Sequence, residues 1–541
     1  MANPQVSIFE HARQQSGSSF FGQGANTLAT GSWENASREE GLKRLRTEFL
    51  DEIRRDQRDQ LLKRDQPTNT LTKEATTDNR IEVQEPEFEE DPRILALVKT
   101  TEAMEISTIS LDIVAKGIKS ADQTENLQAL VILREKFVKG LVGVQEVVDA
   151  NIIPDLLSHL DNQACYRIAL ESCWSIANIC AGETEHVSSL VNKGLFSILP
   201  KLLRHPRREI FQQGAWAVGN IAADKGGYQY KLQKKEILEP LMKRLFSTKS
   251  PKEMDEISWV ICNLVRNSEA QKNFQLEQRQ MALPALFYLF RIIEQSENLD
   301  EIASTIVNLM DDAHLDEFQQ NQIVERTLHI LKNNNPSMSL IGSLLQLLNL
   351  ISSGSDSNTD YLLANNVPDV LFEMLCSPKV TNLWMKRECL WILSNLVAGT
   401  PQQRSAIISK EAWVDVFFAY TRHENPLIVR EAIWIMCNST KRCTPEHSWM
   451  LARKGFLTLL KHSIESKPPA DFLEACLESL NQILRSGVSM EQNRYNLFQP
   501  VLEESGILET LESLQLHHNQ LVYERTINLI EIYFQVHDPV I

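Results

Sequence analysis

From about residue 96 onward, apolar residues recur at three- and four-residue spacing, and runs of strict apolar–polar alternation are hard to find. That pattern predicts a succession of helices of about 10 to 15 residues. Short polar breaks such as "GETE", "RHPRRE" and "TRHENP" divide them. Residues 1 to about 95 differ. They are rich in Ser, Thr, Asn, Gln and charge, with little apolar periodicity, and are expected to be disordered when the protein is alone. One island within them, Arg38 to Gln66, carries Leu42, Leu45, Phe49, Ile53 and Leu61 near helical spacing, and Pro67 ends the pattern. An acidic stretch, "EVQEPEFEEDPR", separates this island from the body.

The helical body is periodic. Trp174 and Asn178 stand four residues apart, and the same pair returns as Trp216/Asn220, Trp259/Asn263, Trp391/Asn395 and Trp434/Asn438. The tryptophans at 174, 216 and 259 are 42 and 43 residues apart, as 391 and 434 are 43 apart. Degenerate copies fill the gap, "EIASTIVNLMDD" keeping Asn308 and "SLLQLLNLISSG" keeping Asn349. A weaker unit, "ENLQALVILREKF", precedes them and another, "DFLEACLESLNQILRSG", follows, making about nine units. An all-helical period of this length implies a solenoid of three-helix units, in which each unit buries its apolar face against its neighbours.

On a helical wheel, Ala169, Cys173, Ile176 and Cys180 cluster on one face, with Leu170 and Ala177 beside them. Asn178 falls about opposite, with Trp174 and Glu171 on its stripe. The stripe of acid or amide, Trp and Asn recurs as Gln213–Trp216–Asn220, Glu256–Trp259–Asn263, Glu388–Trp391–Asn395 and Glu431–Trp434–Asn438; the fifth unit keeps Glu301 and Asn308 but has Ser304 for the indole. One such pair fits a Trp packed on the next unit and an internally bonded Asn. Five copies favour an exposed binding surface. An amide both donates and accepts, so a row of them can grip an extended backbone regardless of its sequence. Slots between indoles suit lysine stems, and carboxylates attract their heads. The inferred ligand is an extended, Lys/Arg-rich peptide.

Charge agrees. The formal net charge is −16, which disfavours general nucleic-acid binding and suits a basic partner. Nine cysteines without a C-x-x-C, with Cys173, Cys262, Cys389 and Cys437 inside helical patterns, read as buried reduced thiols. The polar N-terminus, "MANPQVSIFEHARQQ", lacks the features of a secretory signal. "SLIGSLLQLLNLIS", interrupted by Gln346 and Asn349, is too short to span a bilayer. A soluble intracellular protein is expected.

These residues resemble the importin α family from about residue 38 to 538. The resemblance implies an all-α, right-handed armadillo-repeat superhelix after a largely disordered N-terminal region. It implies an adaptor that binds nuclear localisation signals, shuttles between cytoplasm and nucleus, and needs no cofactor. The implied domains are 1–95, holding an importin-β-binding-like segment at 38–66; repeats at 96–515; and a C-terminal helix at 516–541 where an export receptor docks. The implied major groove is Trp174, Asn178, Gly182, Gln213, Trp216, Asn220, Asp224, Trp259, Asn263 and Arg266, with "GNIAAD" and "NLVRN" matching family motifs and Asp224 pairing the key signal lysine. The implied minor groove is Asn349, Asp356, Thr359, Glu388, Trp391, Asn395, Glu431, Trp434 and Asn438. Lys43, Arg44, Arg46, Arg54, Arg55, Arg58, Lys63 and Arg64 stand where the family binds its carrier or inhibits itself.

Departures accompany the match. Arg38 to Asp65 holds nine basic and eight acidic residues, where the family's segment is far more basic. Val187 replaces a family threonine near the major groove, and Leu345 a polar or basic residue in the minor one. A scaffold or chaperone for basic proteins that has lost carrier binding is the competing reading. For an enzyme, there is no G-x-x-x-x-G-K, H-E-x-x-H or G-x-S-x-G. His517 and His518, read as adjacent helical residues pointing about 100° apart, make a poor metal pair.

Overall fold

In a computed structural model the chain divides into two units, Met1–Asn79 and Arg80–Ile541. The structure describes residues 91–541 apart from 161–164, 225, 266–275, 295–297, 311–320, 334–335, 379, 442, 467, 491–497, 499–501, 503 and 535–541. The segment 38–66 and its basic residues therefore lie outside the described residues, as does Arg266. Among the described residues the secondary structure is helical, with turns and bends and no strand.

The third helix of each unit forms a continuous ladder. We label these helices α1 (Gln123–Val138), α2 (Tyr166–Cys180), α3 (Arg208–Ala223), α4 (Pro251–Val265), α5 (Leu299–Leu309), α6 (Met338–Ser352), α7 (Leu383–Ala398), α8 (Pro426–Thr440), α9 (Ala470–Met490) and α10 (Gln520–Tyr533). Each packs on the next. The period predicted about nine units; α10 adds one more rung, stacked on α9. The preceding helix of each unit, such as Leu195–Leu203 or Phe456–Glu465, packs on its own ladder helix, so the core runs the length of the solenoid between the two rows. Cys173, Cys262, Cys389 and Cys437 lie buried in that core as thiols outside any disulfide.

Sharp turns connect the first two helices of a unit. Gly194 and Gly455, with φ of 101° and 92°, stand immediately before Leu195 and Phe456, in a conformation costly for any residue with a Cβ. Asn151 and Asn366 take the equivalent place before Ile153–His159 and Val367–Cys376.

Some ladder helices begin on side-chain caps, whereas α2, α3 and α5 do not. Asn382, Asn425 and Asn519 accept backbone N–H groups from the first turns of α7, α8 and α10.

Candidate functional site

The Trp–Asn pairs lie on the ladder helices, in register. In α2 the residues left partly accessible are Tyr166, Arg167, Leu170, Trp174 and Asn178; everything else in it is buried. In α3, Gln212, Trp216 and Asn220 keep the same access, and in α4 so do Asp255, Glu256 and Trp259. The wheel therefore placed Trp and Asn on the right side. It misplaced the stripe's first member. At 100° per residue, Asn lies 40° from Trp, the residue four before it 40° the other way, and the residue three before it 60° away. The open sector is only about 80° wide, because a neighbouring helix closes each side. The expected exposed residues Glu171 and Gln213 thus fall outside it and are buried. The accessible residue one turn before the indole is Leu170 or Gln212 instead.

The asparagines also do something other than wait for a ligand. Asn220 Nδ2 donates to Ala177 O of the preceding rung at 3.1 Å, and Asn263 Nδ2 to Gly219 O at 3.2 Å. Asn438 Nδ2 does the same to Ser394 O at 3.1 Å. In each case the acceptor is the residue just before the previous unit's asparagine. Asn263 is fully buried, which corrects its expected exposure, and its Oδ1 is left without a hydrogen-bond partner. Asn178, at the first such rung, donates instead to Trp174 O in its own helix at 2.9 Å. The internal use that a single pair would fit is therefore real and coexists with partial exposure at Asn178 and Asn220. Each of these amides spends one N–H and keeps the other plus its carbonyl oxygen.

The indoles stack on backbone made bare for them. A Cβ on Gly219 would come within 2.2 Å of the Trp259 ring, so Trp259 lies over the same residue whose carbonyl Asn263 grips. Trp174 packs a tilted face against Phe137, ring centroids 6.3 Å apart.

Carboxylates near the stripe are mostly engaged. Glu171 takes Arg134 Nε at 2.7 Å and Arg167 Nε at 3.0 Å, so it offers no free charge to a ligand. Asp224 closes α3; its carboxylate accepts Thr184 Oγ1 at 2.9 Å and the Gly226 N–H at 2.5 Å, while staying half-exposed with no cation on it among the described residues. Glu256 accepts Gln212 Nε2 at both oxygens, 2.8 and 2.7 Å. Burial pushes its carboxyl above the usual range, outweighing the Gln212 bond and the fields of Lys252 and Arg208.

Gly182, among the implied groove residues, follows the end of α2. Its space is filled: a Cβ there would meet His186 Nδ1 at 2.5 Å. That nitrogen accepts the Glu183 N–H at 2.9 Å, which puts the ring proton on Nε2, donated to Gln145 Oε1 at 2.8 Å. Val187 is fully buried beside it.

The second set is more closed. Trp391, Trp434 and Asn438 are 9%, 8% and 6% exposed, and α8 is buried throughout from Glu431 to Thr440. Glu388 is fully buried, taking Asn349 Nδ2 at 2.7 Å and Arg387 Nη2 at 3.3 Å. Their expected exposure, with that of Asn349 and Thr359, is corrected; both of the latter are buried, as is Leu345. The densest packing along the ladder is that of α7 on α8, which narrows the open sector there until Asn395 is the half-accessible rung. Asn395 Nδ2 donates to Ser352 Oγ at 3.0 Å, and Asp356 lies exposed at the start of the next helix.

His517 and His518 lie in the turn before α10, not on a helix, with rings stacked 4.4 Å apart rather than splayed. Among the described residues no group of three or more His, Cys, Asp or Glu could hold a metal ion. No described helix is long and apolar enough to cross a membrane.

Sequence reasoning missed Gln212, Gly219 and His186. The signal for Gly219 was present in the small residues Ala177, Gly219 and Ser394 that precede the asparagines.

Comparison with known proteins supplies the family context. No protein-family model matches the chain. Importin subunit alpha-1b of Oryza sativa subsp. japonica is 24% identical over 447 residues, covering 81% of this chain and 81% of that one. Importin subunit alpha-4 of Arabidopsis thaliana is 24% identical over 444 residues, covering 81% and 80%. Among solved structures, the crystal structure of an engineered protein aligns with a TM-score of 0.56 at 19% identity, covering 79% of this chain and 98% of that one, and shares the fold.

Proposed function

The chain is a divergent member of the importin α family, and on that premise we propose that it is a nuclear import adaptor whose α2–α4 face grips Lys/Arg-rich localisation signals. One observation carries this: three consecutive rungs leave Trp174, Trp216 and Trp259 partly exposed, and on the first two Asn178 and Asn220 are partly exposed as well, each with hydrogen-bonding capacity left after one internal bond. An extended peptide crossing the rungs would give its backbone to Asn178 and Asn220 and its lysine stems to the indole slots. Asp224, half-exposed and without a cation among the described residues, is the counter-ion expected for the principal lysine. The set around Asn395, with its buried indoles, would hold a signal less strongly.

The remaining steps follow the family. The basic residues of 38–66, from Lys43 to Arg64, would bind importin β and, without cargo, compete for the groove. The region 516–541 would meet the export receptor. The chain would then move between cytoplasm and nucleus.

The test is titration of a lysine-rich peptide into the full chain and into Asn178→Ala. That amide bonds only its own helix, so the substitution leaves the contacts between units intact. Loss of one or two backbone hydrogen bonds predicts about fivefold to thirtyfold weaker binding. Unchanged affinity overturns the groove.

A second reading, a scaffold or chaperone for basic proteins that no longer binds the carrier, is favoured by one feature: the nearly balanced charge of Arg38–Asp65. Importin β binding to the full chain separates the two.

A further inference from the structure

One edge of the solenoid carries charge of the opposite sign to the whole chain. Two connections lead from the preceding helix of a unit into its ladder helix. "KLLRHPRR", from Lys201 to Arg208, enters α3, and "KRLFSTKSPK", from Lys243 to Lys252, enters α4. Together they hold eight basic residues and no acid, in a chain of net charge −16. The equivalent connection into α5, "IEQSENLD", carries acids instead, so the basic edge is two units wide.

Stacking brings the two connections together. Arg208 Nη2 donates to Ser250 Oγ at 3.1 Å, and its Nε lies 3.6 Å from the carboxylate of buried Glu253. Arg244 Nε donates to the same carboxylate at 2.6 Å. One carboxylate thus fixes two guanidiniums but cancels one charge. Glu256 accepts Gln212. Of the acids in the first turns of α3 and α4, that leaves exposed Glu209 and partly accessible Asp255. Against them stand Arg204, Lys249 and Lys252, all exposed, and half-buried Arg207, whose guanidinium lies 3.5 Å over the Tyr166 ring at the start of α2. Stacking on an aromatic face orients that guanidinium and leaves its charge in place. The first turn of α3 has no side-chain cap, so its N–H groups add to the positive field.

We propose that this edge binds an acidic peptide segment of a partner protein, extended along the starts of α3 and α4. Rungs stand about 8–10 Å apart, and an extended chain advances about 3.3 Å per residue. A run of about six residues therefore spans both connections. Charge favours a short peptide over a nucleic acid. The field of the edge is screened within about 8 Å at physiological salt. A few consecutive glutamates stay inside it, whereas a polynucleotide continues over the acidic surface that begins at the next unit. The edge uses none of the stripe's indoles or asparagines, so its occupancy is independent of the groove.

The experiment titrates fluorescent deca-glutamate into the full chain, with deca-glutamine as the neutral control. The wild-type chain is expected to bind the first and not the second, and to bind it more weakly as salt rises. Arg204→Gln/Lys249→Gln/Lys252→Gln removes three exposed cations and is expected to weaken binding about tenfold. Lys99→Gln/Lys116→Gln/Lys119→Gln removes the same charge from exposed positions before α1 and is expected to change nothing. Lys252→Glu alone, expected to cost about fivefold, keeps the test where the triple variant does not fold. Absence of deca-glutamate binding, an unchanged affinity in the edge variants, or an equal loss in the Lys99 set overturns the assignment. Tighter binding of a ten-nucleotide oligothymidylate than of deca-glutamate overturns it in favour of a nucleic-acid edge.

Discussion

At the scale of single residues, asparagine works twice. Asn220 and Asn263 tie each rung to the carbonyl before the previous asparagine, so the feature that looks like a ligand grip is also a structural staple. Removing Asn263 would leave the Gly219 carbonyl short of its partner inside the core, and binding losses from such a variant would mix with instability. Glu256 is a carboxylate that burial penalises. Its folded carboxyl is raised by burial, so the folded state holds the proton more tightly than the unfolded chain does. Its contribution is favourable at low pH and is lost as pH rises through the folded value. Glu256→Gln is therefore expected to melt higher than the wild-type chain at pH 7.5, with the gap closing toward pH 4. A lower melting temperature at pH 7.5 would mean that Gln212 stabilises the carboxylate more than burial penalises it.

At the scale of elements, helix starts carry an acid-sensitive device. His205 Nδ1 accepts the Arg207 N–H at 3.1 Å before α3, and His423 Nδ1 accepts the Asn425 N–H at 3.0 Å before α8. His517 repeats the arrangement before α10 at 3.1 Å. Each bond requires an unprotonated Nδ1. Burial holds His423 below its ordinary 6.5, helped by Lys386 and opposed by Glu424, with Tyr420 stacked on the ring. His205 is lowered likewise by burial, with Arg207 adding to the shift and the Arg207 N–H bond and Glu209 opposing it. A depressed histidine contributes stability above its unfolded value, and that contribution is lost as pH falls below about 6.5 through the folded one. His423→Asn keeps an acceptor for the Asn425 N–H without a titrating ring. The variant is expected to lose less thermal stability than the wild-type chain between pH 7 and pH 5, measured by circular dichroism. Equal losses would place the acid sensitivity elsewhere.

At the scale of the whole molecule, ten ladder helices among the described residues stack in order and each touches chiefly its neighbours, so stability is a sum of local interfaces. The start of the body is defined by contact. Pro92–Glu102 packs on α1, and Glu102 pairs with Arg134 at 2.5 Å. A truncation at residue 95 would cut into this helix; one at residue 79 follows the boundary between the two units. Removal of residues 1–79 is expected to leave the melting temperature of the solenoid unchanged within about 2 °C. If the N-terminal segment competes for the groove, the same truncation tightens lysine-rich peptide binding, by the factor that a tethered competitor imposes. Equal affinities would dispose of self-inhibition.

The sequence by itself determined the helical class, the repeat length and the side of each ladder helix on which Trp and Asn lie. Those follow from the 3.6-residue period and from a spacing near 43, both of which are local in the chain. The sharp turns at Gly194 and Gly455 are local too, since positive φ favours glycine where it occurs, but the repeat pattern did not single them out. Only the tertiary structure decided how wide the open sector is. A wheel ranks directions around one helix, whereas the neighbours on either side set the limit between open and buried. That limit put Glu171, Glu388 and Glu431 inside, kept Glu256 half-open, and closed the Trp391 and Trp434 rungs while leaving Trp174, Trp216 and Trp259 accessible. It likewise decided that the asparagines bond from unit to unit, because their partners lie 43 or 44 residues away and are adjacent only once the repeats have stacked.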